Sequence, residues 1–258
     1  METAWGTAQS PRRICMIINW TAESARLMWA ASEYGTYHHS LVETMRPWLN
    51  PDMRFCDAGC GIGALSLAIA PYVREVTAAD ISPVALEGLR DRRFSNIRIQ
   101  CGNILELPPE EPYDAIAFCL FGSIDEILKI AKQQCRGPVF AFMKNYSRHR
   151  FSVNAFQKFA PQYITARQKL QELGIPCDTQ ELTLEMGQPL KDLAEARTFF
   201  ELYSQDEDKS VITDDYLRSR VLETGRSDYP LYIPQARKLG WLRFNAGDIP
   251  ELPSDISF

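Results

Sequence analysis

In "TAESARLMWAASEYGTYHHSLVETMRPWL", residues 21–49, apolar positions recur at helical spacing and stop before Pro51. The spacing predicts two helices broken near Gly35. Beyond it the period changes. "RFCDAG", "EVTAAD", "NIRIQCGN", "YDAIAFCLFG" and "GPVFAFMKN" read as five short strands. Between them, "IGALSLAIAPYV", "SPVALEGLRDRRF" and "SIDEILKIAKQQC" read as helices. Ser82 stands as N-cap before Pro83 at the first helical position, and Ser123 with Glu126 spells a capping box. Strands alternating with helices imply a parallel sheet covered on both faces. Ligands of such sheets lie beyond the carboxyl ends of the strands, where the strand order reverses.

The last third keeps some of this rhythm. Residues 151–173 look helical up to Gly174, and "DTQELTLEM" alternates as a strand does. "KDLAEARTFFELYS" and "DDYLRSRVLET" read as helices, the second capped by Thr213 and followed by Gly225. "YIPQARKLGWLRFN" reads as one or two closing strands. Nothing resembles a linker. The expected organisation is an N-terminal helical lid over residues 1–49 and one domain over 50–258, its motif-bearing core at 50–145 and a strand–helix–strand part at 146–258.

Composition narrows the function. Of 258 residues, 45% are hydrophobic and 24% charged, ordinary for a globular chain. A net charge of −5 disfavours a general nucleic-acid binder, which needs clustered Lys and Arg. Arg90, Arg92, Arg93 and Arg98 read as a solvated face rather than an RNA track. The opening "METAWGTAQSPRRICMIINW" has an apolar run too short for a signal peptide, and no stretch approaches the ~20 apolar residues of a spanning helix. A cytoplasmic protein without membrane contact is expected. The seven cysteines include no C-x-x-C and no zinc-spaced pairing with histidine, so neither a disulfide framework nor a metal is predicted.

One loop carries the chemistry. In "CDAGCGIG", residues 56–63, Gly59, Gly61 and Gly63 follow a strand and precede a helix, leaving backbone amides open to a ligand. The pattern also fits a dinucleotide site. Asp57 shifts the balance: a carboxylate ahead of the glycines repels a pyrophosphate and suits an ammonium. Asp80, ending the second strand, can accept from both hydroxyls of a ribose, and Asn103, after the third, can present an amide to a purine edge. S-adenosylmethionine, with its amino-acid tail, ribose and adenine, needs all three.

Taken together, "DAGCGIG", "AADISPVALE", "CGNILEL" and "YDAIAF" resemble successive motifs of the class I S-adenosylmethionine-dependent methyltransferases. The resemblance covers residues 50–145, about two-fifths of the chain. It implies a Rossmann-like, doubly wound α/β fold: a mostly parallel seven-stranded sheet with an antiparallel last strand, here with N-terminal helices added. It further implies that Asp57, Gly59, Cys60 and Gly61 hold the methionine moiety and that Asp80 takes the ribose. Ile81 would pack on adenine, Asn103 and the Ile104 amide would read its edge, and Leu120 with Phe121 would line the other side.

Methyl transfer from a sulfonium rests mainly on proximity, so catalytic signatures are faint. Candidate bases or pocket residues are His38, His39, His149 and Tyr37, with Tyr34 and Tyr146 shaping an acceptor pocket. Cys119 lacks the neighbouring proline of RNA cytosine methyltransferases. Asp114 begins its strand, far from the transferred methyl. Cys60, Cys101 and Cys119 end near one sheet edge but read as buried fillers. The expected activity is methylation of a small-molecule acceptor. The alternatives are an RNA or protein methyltransferase, or a regulatory protein that binds S-adenosylmethionine without transfer. Oligomeric state is not legible.

Overall fold

The computed structural model describes residues 20–92, 94–146, 151, 153, 161–204 and 208–251. The two N-terminal helices are α1 (Ala22–Tyr34) and α2 (Tyr37–Met45), meeting at Gly35. Thr21 and Ser24 cap α1 reciprocally, and α2 tightens into a 3-10 turn at Arg46–Trp48, where Pro47 enters.

Then follow β1 (Arg54–Ala58), α3 (Ala64–Ile69), β2 (Glu75–Asp80), α4 (Pro83–Asp91), β3 (Ile97–Cys101), β4 (Ala115–Cys119), α5 (Ile124–Gln134) and β5 (Pro138–Lys144). The predicted caps form: Ser82 Oγ accepts from the Ala85 amide, and the Ser123–Glu126 box closes in both directions. Beyond them lie α6 (Gln162–Glu172), β6 (Asp178–Glu185), β7 (Gln188–Leu190), α7 (Leu193–Tyr203), α8 (Asp214–Arg220), β8 (Leu222–Glu223), β9 (Leu231–Ile233) and β10 (Ala236–Asn245).

Seven strands form one sheet in the order β3-β2-β1-β4-β5-β10-β6, all parallel except β10, which runs against both neighbours. This is the expected methyltransferase-like architecture. Apolar layers cover both faces. On one, Ile127 and Leu128 of α5 and Ala166 and Leu170 of α6 meet Ile116, Phe118 and Val139. On the other, Leu41 and Met45 of α2 and Leu65 and Ile69 of α3 meet Phe55, Phe140 and Phe142. Strands covered on both faces read as continuous apolar runs, as β4 and β5 do.

The region between β6 and β10 departs from expectation. β7, β9 and β8 make a separate three-stranded antiparallel sheet. The helix expected through Thr224 stops at Arg220, because Leu222 and Glu223 pair with Tyr232 and Leu231 instead. "YIPQARKLGWLRFN" is two strands in two different sheets. The helix expected over 151–173 is α6, beginning at Gln162; residues 154–160 lie outside the described set. A third apolar cluster joins this insert to α1 through Leu27, Leu190, Phe199, Phe200, Leu217 and Ile233. Arg92, in the arginine-rich stretch read as solvated, instead stacks over Trp29 of α1 at 3.5 Å.

Candidate active site

The strand order reverses at β1 and β4, so the loops after these two strands face one another across the crevice. They touch: a Cβ on Gly59 would lie 2.1 Å from the Phe121 ring. Gly59 and Gly61 both have positive φ, 67° and 55°, and Trp20 covers Gly61 as Phe121 covers Gly59. Only glycine combines that backbone with that closeness. Leu120, φ 57°, is the one non-glycine residue with positive φ among the described residues; its amide donates to Phe142 O at 2.8 Å. Backbone strain thus sits where β4 opens onto the crevice.

Asp80 ties the two sides of β2's end together. Its Oδ2 accepts from the Gly61 amide at 2.8 Å and its Oδ1 from the Ser82 amide at 2.9 Å. An ionised carboxylate has about four lone-pair sites, so each oxygen retains capacity for another donor. Ile81, next in sequence, is 68% exposed. The Asn103 amide is engaged locally: Oδ1 accepts from the Leu105 amide at 3.1 Å and Nδ2 donates to Glu106 Oε1 at 2.9 Å, leaving one N–H of Nδ2. Ile104 is buried, and its carbonyl accepts from Gln134 Nε2.

Asp57 is fully buried. Ser66 Oγ donates to its Oδ2 at 2.6 Å, while Oδ1 has no partner. Burial raises its pKa to about 7; the Ser66 hydrogen bond opposes this and the nearby Asp80 charge adds to it. Burial likewise pushes up the Cys60 thiol, and the Cys119 thiol to about 12, so neither is a ready thiolate. No group of three or more His, Cys, Asp or Glu side chains is arranged to hold a metal among the described residues. Asp114 sits at the opposite edge, accepting from the Arg54 amide at 2.7 Å and pairing with Arg136.

Beside the crevice, α2 brings Tyr37 inward. Its hydroxyl is buried with no hydrogen-bond partner. The His38 ring meets the Tyr37 ring edge-on at 5.0 Å, and His38 Nδ1 is also buried and unpartnered. Burial, then the charges of Arg237 and His39, pull the His38 pKa down to about 3, so His38 is a neutral, weakly basic imidazole. His39 is exposed, and His149 lies outside the described residues. Tyr34 stacks on Tyr232 at 5.1 Å. Sequence reasoning missed Arg237 altogether.

Residues 55–136 match the family model described as "Methyltransferase domain". The chain carries a methyltransferase domain. No curated protein is similar to it in sequence. Solved structures share the fold at low identity. Coclaurine N-methyltransferase bound to N-methylheliamine and S-adenosylhomocysteine is 17% identical, with TM-score 0.53, over 90% of this chain and 83% of that one. A protein of Bacillus halodurans C-125 is 11% identical, with TM-score 0.52, over 82% and 99%. The YcgJ protein of Bacillus subtilis is 15% identical, with TM-score 0.50, over 81% and 98%.

An S-adenosylmethionine cofactor fits the crevice on two counts. The Asp57 Oδ1 orphan suits an ammonium, and the spare lone pairs of Asp80 suit a diol. When bound, the cofactor supplies an electrophilic sulfonium methyl. The methyltransferase's own residues then have to bind, orient and keep water out. Phe121 is partly exposed beside Gly59, and its ring lies near-parallel to that of the buried Phe118 at 6.5 Å.

Proposed function

We propose that this methyltransferase acts on a small-molecule acceptor, with Asp57, Gly59, Cys60, Gly61, Asp80, Ile81, Asn103, Ile104 and Leu120 holding the donor. The observation that carries the small-acceptor reading is a cavity of about 300 Å³ where the α1–α2 junction meets the end of β6, the turn after it and Tyr232 of β9. Ala31, Tyr34, Tyr37, Ser40, Glu185 and Tyr232 line it. That volume suits a small organic molecule, and Tyr37, on its wall, is close enough to Cys119 at the end of β4 for the two groups to act on each other electrostatically. The helical segment 1–49, of which residues 20–49 are described, would serve as the lid. Coclaurine N-methyltransferase, whose structure holds a small amine with S-adenosylhomocysteine, supports the reading by analogy of fold.

Orientation does most of the work in such a transfer. The lid and Phe121 exclude water, and the neutral His38 takes or gives a hydrogen bond rather than carrying a proton. Calorimetric titration tests the donor site: S-adenosylhomocysteine binds, and Asp80→Ala weakens it at least about tenfold by removing a charged acceptor. Preference for NAD over S-adenosylhomocysteine would sink the donor assignment.

A further inference from the structure

Arg237 is left over by the donor site. Because β10 is antiparallel, its start lies at the carboxyl edge of the sheet, just past Lys144, which pairs with Leu239. Strand alternation puts Arg237 in phase with Leu239 and Trp241, both inside the apolar layer. Its guanidinium stands 5.5 Å from the Tyr37 ring. Among the described residues no carboxylate pairs with it; the groups acting on it are the Tyr37, Tyr203 and Tyr146 hydroxyls. A small recess lined by Tyr146, Gln235, Ala236, Arg237 and Lys238 opens beside it. Tyr37 Oη, His38 Nδ1 and Gln235 Oε1 nearby in the chain fold are buried without partners.

A desolvated guanidinium with no counter-charge costs folding free energy, and here the surrounding groups are neutral donors and acceptors. We propose that Arg237, assisted by the Tyr37 and Tyr146 hydroxyls, anchors a carboxylate carried by the methyl acceptor. A planar guanidinium matches a carboxylate bidentately. One desolvated charge, with Lys238 exposed to solvent, balances a monoanion better than a phosphate dianion. This deepens, and rests on, the small-acceptor reading: Tyr37, whose ring lies beside the Arg237 guanidinium, also lines the cavity assigned to the acceptor.

Fluorine NMR of 4-fluorobenzoate, 4-fluorobenzamide and 4-fluorophenyl phosphate tests it, with wild type, Arg237→Gln and Arg237→Lys, each with and without S-adenosylhomocysteine. The expected result is saturable binding of the benzoate to wild type, at least about tenfold weaker in Arg237→Gln, with Arg237→Lys between. The amide and the phosphate should bind more weakly than the benzoate. Equal benzoate binding by wild type and Arg237→Gln, a preference for amide or phosphate, or no saturable binding would each overturn the proposal. Arg237→Gln should melt no lower than wild type, because it removes an unpaired charge; a markedly lower melting temperature would make Arg237 structural and overturn the proposal too. Titration of S-adenosylhomocysteine separates the two readings. If wild type fails to bind it, the donor assignment falls, while the benzoate series without it still reads Arg237.

Discussion

The buried Asp57 carboxyl gives the stability of the fold a pH dependence. Its pKa is about 7 in the folded protein against 3.8 for an ordinary aspartate. Between those values the folded chain keeps a proton that the unfolded chain has released. Its stabilising contribution is therefore complete below about pH 4 and is lost as pH rises through 7, at most about 1.4 kcal/mol per pH unit. Urea denaturation across that window should show the decline, and Asp57→Asn should remove it. An undiminished slope in the variant would assign the effect to other groups. Asp57 and Asp80 were legible in the sequence because each stands at a strand end beside glycine or an N-cap. Arg237 was not. In "QARKLGWLRFN" it looks like any strand charge, and only its phase with Leu239 and Trp241 hints that it faces inward.

At the scale of elements, the contact between the loops after β1 and β4 is the most specific joint in the crevice. Gly59→Ala would force a Cβ into the Phe121 ring at a positive φ. The expected loss is about 1–3 kcal/mol from overpacking and roughly 1–2 kcal/mol from the left-handed backbone. Adding Phe121→Ala should recover the first part and leave the second. Denaturation midpoints of the two variants measure this, and a single variant as stable as wild type would refute the contact. The first five strands were readable because each is an apolar run closed by a turn signal. β7 and β8, three and two residues long, carry no periodicity. Their partner β9 lies some forty residues from β7 in the chain, so local pattern could not announce that sheet.

At the scale of the whole molecule, α1 belongs as much to the insert as to the lid. Leu27 is buried in the cluster of Phe199 and Phe200, its carbonyl accepts from Gln188 Nε2 at 3.1 Å, and Arg26 pairs with Glu195 at 2.6 Å. Leu27→Ala should cost about 2–5 kcal/mol, and amide hydrogen exchange should quicken in α7 and β7–β9 more than in β1, β4 and β5. A uniform rise across all of these would mean the insert does not open separately. The alternation of strands and helices made the architecture of the large sheet predictable, but the place of the insert followed from contacts between distant segments.

The position of β10 has a consequence for assembly order. β6 pairs with β10 alone, and β10 fills the gap between β5 and β6. As the chain emerges from the ribosome, β1–β5 can assemble by short crossovers, while β6 waits without a partner and β5 remains an open edge. Such edges recruit other strands. About fifty residues, including the whole three-stranded insert, are synthesised during that interval. The insert, which packs onto the early-formed α1, is thus in place before the strand that completes the large sheet.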